Sequence, residues 1–165
     1  MSEILRARKE ALARVAGLEG LSHPALDGVT QIAKTVCDAD VALLSFVDVD
    51  RQWFASRQGL DADQTPISQS ICHHAVTANE YLEIPDTRSD ERTRDNTLCT
   101  GDEGFRSYAG AIVRSPEGIP LGTVCVLDRD ARALDARQAT TLELLARHVE
   151  TILFERVNAP ASPGA

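Results

Sequence analysis

An α+β domain is the fold class that the sequence predicts, and three observations predict it. Two stretches, Val41 to Arg57 and Phe105 to Asp128, each carry a pair of apolar, β-branched runs around a turn. Helical periodicity occupies the regions before the first pair and after the second. No internal repeat divides the 165 residues, a length that suits one domain with a substantial core.

The second pair is the centre of the fold. Pro116 presets the backbone of its turn, and Gly118 can take the left-handed conformation that closes it. Leu121 to Leu127 is apolar on both faces, the pattern of a strand in the middle of a sheet that is covered on both sides. Ala109, Gly110, Ala111 and Gly122 leave room beside it, for a pocket or for close packing.

The other elements follow in order. Ile4, Ala7, Ala11, Val15 and Leu18 step by three or four and predict a helix over Ser2 to Ala16. Ser22 is the expected cap of a second helix, with Pro24 in its first turn and an inner stripe of Leu26, Val29, Ile32 or Ala33, and Val36. The strand Val41 to Val47, the turn Asp48-Val49-Asp50 and the return strand Arg51 to Arg57 make the first hairpin. Gly59 to Gln69 reads as a polar loop, Ser70 as the cap of a short helix Ile71 to Thr77, and Tyr81 to Ile84 as an edge strand. Pro85 to Gly104, crowded with charge, reads as a long surface loop with a helical turn. Asp135 and Gln138 form a capping box for the last helix, whose stripe of Leu142, Leu145, Val149 and Ile152 has the spacing of a helix-to-helix seam, widened by Leu144 and Leu153. That helix is expected to fade after Val157.

Composition narrows the function classes. A formal charge of -8 argues against a nucleic-acid partner, which draws on clustered Lys and Arg. The charged N-terminus is no signal peptide and no apolar run is long enough to span a bilayer, so a cytoplasmic protein with no membrane partner is expected. Cys37, Cys72, Cys99 and Cys125 contain no Cys-x-x-Cys pair, and free thiols are the expected state. Asp86, Asp90, Glu91 and Asp95 lack the spacing of a calcium loop, so no metal site is assigned.

Several stretches together resemble a known family. They are Asp50-Arg51-Gln52-Trp53-Phe54, Gly59-Leu60 with Thr65-Pro66, Ser70-Ile71-Cys72-His73-His74-Ala75, Phe105-Arg106-Ser107-Tyr108-Ala109-Gly110-Ala111, and Leu121-Gly122-Thr123-Val124-Cys125-Val126-Leu127-Asp128. In these words and in the order of its elements the chain resembles the GAF domains often attached to bacterial histidine kinases and diguanylate cyclases. The similarity runs from about Leu21 to Phe154. It implies a central antiparallel sheet of about six strands, with the terminal helices on one face and a loop-covered pocket on the other. The implied organisation is an N-terminal helix over residues 1–20 for packing or dimerisation, a GAF domain over 21–157 and a disordered tail over 158–165.

The resemblance also implies a sensory module that binds an unidentified small molecule, is not an enzyme, and signals through helix packing or a downstream partner. No cofactor is identified. Where relatives often carry Thr-Pro-Arg, this chain has Thr65-Pro66-Ile67, so an anion held by that Arg would not be held here. The alternatives are a GAF-fold thiol enzyme such as a methionine sulfoxide reductase, if the fold brings Cys72 and Cys125 together, and a dimerisation or regulatory domain that binds no ligand. Seams on the first and last helices predict a homodimer.

Six residues are the candidate ligand contacts. Cys72 and His74 belong to the most reactive-looking cluster: a thiol near an imidazolium or a helix N-terminus is acidified, although a helical Cys also serves as a small buried hydrophobe. Trp53 offers a stacking surface or a core cap. Phe105, Arg106 and Tyr108 precede the central strand, where Arg106 can clamp an anion and Tyr108 can donate a hydrogen bond.

Overall fold

Residues 2–154 are described by the structure, a computed structural model. The expected fade of the last helix after Val157 and the expected tail lie outside the described residues.

One antiparallel sheet of six strands organises the chain, in the order β3-β2-β1-β6-β5-β4. These strands are β1 (Val41–Val47), β2 (Arg51–Gln58), β3 (Gln64–Pro66), β4 (Leu82–Ile84), β5 (Ser107–Arg114) and β6 (Pro120–Asp128). The two hairpins are β1-β2 and β5-β6, and they join through β1 and β6, so the apolar strand expected at the middle is there. Gly118 closes the β5-β6 turn at φ 85°. The polar loop expected at Gly59 to Gln69 contains β3, a three-residue edge strand too short to leave a period in the sequence.

Both faces of the sheet are buried, each in its own core. Helices α1 (Glu3–Ala13), α2 (Pro24–Cys37) and α4 (Ala136–Phe154) cover one face, where Leu26, Phe46, Trp53, Val124, Leu142 and Val149 meet. The opposite face carries α3 (Cys72–Ala78) and the segment between β4 and β5, packed on Leu43, Phe54, Ile84, Tyr108 and Leu127. At Gly122 the β1 main chain comes so close that an added Cβ would sit 1.8 Å from the Ser45 carbonyl oxygen. Only glycine permits that approach.

The helices hold the expected stretches with local differences. His23, not Ser22, caps α2: its Nδ1 accepts from the Leu26 amide at 3.4 Å, while Ser22 turns to Asp27. The buried stripe of α2 runs through Leu26, Val29, Ala33 and Cys37, leaving Ile32 and Val36 exposed. Asp135 and Gln138 form the reciprocal capping box at 2.8 and 3.0 Å. The seam of α4 lies against the chain's own sheet and α2, and Leu144 is outside it at 64% exposure. That arrangement removes the α4 half of the seam argument for a dimer, because an apolar stripe satisfied within one chain asks for no second copy, whereas Ile4 of the α1 stripe is exposed.

The segment between β4 and β5 is tied down from within. Thr87 donates to the Phe105 carbonyl at 2.7 Å, Thr93 donates to the Thr87 carbonyl at 2.7 Å, and Cys99 is fully buried. Two of its carboxylates lie close against guanidinium groups, Asp86 with Arg106 at 3.0 Å and Asp90 with Arg92 at 2.7 Å.

Candidate functional site

The site is built by strand alternation. Ser45 on β1, Gln52 on β2, Tyr108 on β5, and Thr123 and Cys125 on β6 all face away from the terminal helices, and the first turn of α3 sets Cys72 over them. Ser70 fastens that turn: its hydroxyl accepts from the His73 amide at 3.0 Å and donates to Gln52 Oε1 at 2.8 Å. Gln52 also accepts from Ser45 at 3.1 Å and donates to Thr65 at 2.7 Å. Its second Nε2 hydrogen has no partner among the described residues.

Cys72 is the hub of a second buried cluster beside this network. Thr123 and Tyr108 donate to its sulfur at 3.2 and 3.3 Å, and Cys125 Sγ lies 3.8 Å away. Tyr108 reaches it by lying along its own strand, above Gly110, where an added Cβ would fall 2.3 Å from the phenol oxygen. The hydrogen bond from Cys125 is the leading influence on Cys72, and with those from Thr123 and Tyr108 it outweighs burial. Together they bring the thiol from 9.0 to about 6. Cys125, giving its proton to the pair and sealed from water, is pushed the other way. Tyr108 is raised too, first by burial and then by the charge on Cys72.

A cavity of about 20 Å³ adjoins this network, lined by Leu43, Gln52, Phe54, Cys72, Phe105 and Tyr108 among others. It has room for a water molecule and little more. Half-buried Leu60, Gln69 and Leu98 form its outer wall, so Cys72 stands one side-chain layer from solvent.

The structure brings three of the six candidate residues together and separates the others. Cys72, Phe105 and Tyr108 line the cavity. Trp53 lies on the helix face of the sheet, 5.0 Å from the Phe46 ring centroid, beside a separate groove of about 260 Å³ with Lys9, Glu19 and Arg51. Strand alternation is the reason: Gln52 and Phe54 take the cavity face, and Trp53 between them cannot. His74 is half-buried on the outside of α3, where burial first, then His73 and Arg92, hold its imidazole toward neutrality. Arg106 pairs with Asp86 at 3.0 Å and does not line the cavity.

The small residues read as possible room for a pocket are occupied by close packing. Tyr108 fills the space at Gly110, the β1 backbone fills that at Gly122, and Ala109 and Ala111 face the terminal helices. Sequence reasoning missed Ser45, Gln52, Thr65 and Thr123. Their signal was available: Ser45 and Thr123 are hydroxyls inside otherwise apolar central strands, and a buried polar group demands a partner.

A second titratable pair sits at the far end of β6. Asp128 is raised to about 6, first by burial and then by its hydrogen bond with Asp40, although Arg132 Nε stands 2.9 Å away. The folded state therefore binds the proton more tightly than the unfolded chain between 3.8 and about 6. Stability should fall as pH rises through that window. Asp128→Asn is expected to flatten the slope in urea denaturation series, and an unchanged slope would remove Asp128 as its source.

Comparison with known proteins places this site in context. The chain is 37% identical over 133 residues to a Pseudomonas aeruginosa protein named as a cyclic di-GMP phosphodiesterase, covering 80% of this chain and 23% of that protein. The chain thus spans about a quarter of its relative's length. The GAF domain of an Acinetobacter phosphoenolpyruvate-protein phosphotransferase superposes with a TM-score of 0.67 at 16% identity, covering 99% of each chain. The type II free methionine-R-sulfoxide reductase of Thermoplasma acidophilum superposes with a TM-score of 0.65 at 15% identity, covering 83% of this chain and 97% of that one. The structural matches show a shared fold.

These findings correct one expectation from the sequence. The chain was expected not to be an enzyme, yet the curated relative is named for a phosphodiesterase activity and a structural neighbour is a reductase. The fold by itself does not decide between these activities, because one fold hosts many functions. The family itself is settled by sequence: the model of the GAF domain matches residues 22–153, and the chain belongs to that family.

Proposed function

We propose that this chain is a regulatory GAF module of a cyclic di-GMP-hydrolysing signalling protein, and that a small molecule entering above Cys72 and Gln52 sets its state. The observation that carries this reading is the 37% identity to the Pseudomonas aeruginosa phosphodiesterase over 133 residues. The buried network supports it. Gln52 offers a free donor, and Leu43, Phe54, Phe105 and Leu127 supply an apolar surround. The ligand class is a compact molecule with an acceptor oxygen and an apolar body. Its entry displaces Leu60, Gln69 and Leu98, because the closed cavity admits only water.

Such a ligand acts by binding one arrangement of the cover and α3 better than another. α3 packs on β6 and β1, whose other face carries the terminal helices, so a shift at the cavity is felt across the sheet. Self-association is part of the proposal, through exposed Ile4 and Leu5 on α1 and Ile32, Val36 and Leu144 on α2 and α4. Sedimentation at a monomer mass across the micromolar range would remove that part alone.

A thermal-shift screen of nucleotides, amino acids and small carboxylic acids, run with reductant present, tests the reading. A true ligand at a hundred times its dissociation constant adds about 2.7 kcal/mol of stability. The shift should disappear in Gln52→Leu. A panel that produces no shift, or a shift that Gln52→Leu leaves intact, would overturn the proposed site.

A further inference from the structure

Beyond ligand binding, we propose that Cys72 and Cys125 form a buried redox dithiol, oxidised by a hydroperoxide to an intramolecular disulfide that ties α3 to β6. Three observations carry it. The two sulfurs stand 3.8 Å apart although 53 positions separate them in sequence. Hydroxyl donors converge on one sulfur: Thr123 and Tyr108 both aim at Cys72. The cavity beside Cys72 has the size of a water molecule, which suits an oxidant as small as hydrogen peroxide and excludes bulky ones.

The other two cysteines lack this arrangement. Cys37 is fully buried and raised to about 11, first by burial. Cys99 is fully buried and raised as well, also by burial. Cys72 is depressed despite equal enclosure, because donors surround it. The structure therefore separates one reactive pair from two inert thiols.

The chemistry balances within the pair and the oxidant. The Cys72 thiolate attacks the terminal oxygen of the hydroperoxide, the O–O bond breaks, and the leaving alkoxide or hydroxide takes up the proton that Cys72 had released. Cys72 is then a sulfenic acid. The Cys125 sulfur attacks the sulfenic sulfur, the S–O bond breaks, and water leaves with the Cys125 proton. Two thiols have lost two electrons and the peroxide has gained them. The sulfurs approach from 3.8 Å to about 2.05 Å. Since Cys72 opens α3, closing that distance draws the helix start toward β6 and weakens Cys72 as an acceptor for Tyr108 and Thr123.

The test uses the whole chain treated with hydrogen peroxide. An intact mass lower by about 2 Da is expected, restored by dithiothreitol. Peptide mapping without reduction should link Cys72 to Cys125, while Cys37 and Cys99 remain alkylatable after unfolding. In Cys125→Ser, dimedone should trap the sulfenic acid on Cys72. Oxidation that falls first on Cys37 or Cys99, disulfides between chains, or no mass change would each overturn the proposal. Should Cys125→Ser fail to fold, the mapping of the unaltered chain decides the matter. The ligand screen runs under reductant, so its failure and the failure of this proposal are told apart.

Discussion

Gly122→Ala should cost the domain about 3 kcal/mol or more of folding stability, the heaviest loss expected from any single added methyl group. The new Cβ would stand 1.8 Å from the Ser45 carbonyl oxygen and 2.8 Å from its carbonyl carbon. Both are main-chain atoms of β1, so no side-chain rotation relieves the contact. Relief requires β1 and β6 to separate, and that pairing joins the two hairpins into one sheet. On its other side Gly122 pairs with Val113, next to a register shift at Val113/Arg114. Urea denaturation of the variant and the parent measures the effect. A midpoint within experimental error of the parent's would mean that the strands are not in this register.

A titration of thiolate absorbance in the ultraviolet should show one group ionising near pH 6, and Cys72→Ser should abolish it. Tyr108→Phe and Thr123→Val each remove one hydroxyl from the sulfur. A hydrogen bond to a charged group contributes about 1.5–3 kcal/mol, so either change should raise the midpoint by about one to two pH units. That is a tenfold to hundredfold fall in thiolate at a fixed pH below the midpoint. The linkage to stability has a definite sign. Cys72 ionises at about 6 in the folded chain against 9.0 when unfolded, so the unfolded state binds more protons between those values. Stability should therefore rise with pH across that window, and Cys72→Ser should lack the rise. Cys125, pushed upward, contributes in the opposite sense only above the ordinary thiol range. A titration without an acidic thiol would refute the arrangement of donors.

The consequences for regulation run through the same sulfur. Cys72 belongs at once to the cavity lining, to the donor network of Tyr108 and Thr123, and to the first turn of α3. A ligand that displaces a donor and an oxidant that consumes the thiolate would both change what holds α3 against β6. Bound ligand should shield the thiol from peroxide, and the disulfide should lower ligand affinity. Such reciprocity is required of any two events that favour different states of one element.

Much of the architecture was legible from local chemistry. The turns at Asp48-Val49-Asp50 and Ser115 to Ile119, the capping box at Asp135 and Gln138, and the apolar run of β6 each depend on residues within a few positions of one another. The exceptions are instructive. β3 is three residues long, and its strand character comes from pairing with β2. Ile32 and Val36 fit the periodic stripe of α2 as well as Ala33 and Cys37 do, and the direction from which the sheet approaches selects between them. Ser56 illustrates register: the shift at Leu44/Ser45 leaves Ala55 without a counterpart and turns Ser56 to the helix face, where it meets Thr30 at 2.8 Å and Asp27 at 2.5 Å.

By itself the sequence determined the two hairpins, the helix between them and the strand at the middle, because turn chemistry and hydrophobic period are local properties of a chain; its match to the family model determined the family. Tertiary structure alone decided which face of the sheet each side chain joins. It put Trp53 among the terminal helices and gathered Ser45, Gln52, Cys72, Tyr108, Thr123 and Cys125 on the other side of the sheet, in two adjacent clusters. The physical reason is that a site assembled across strands depends on register and on alternation carried through bulges. A shift of one residue exchanges the two faces and would scatter the same side chains.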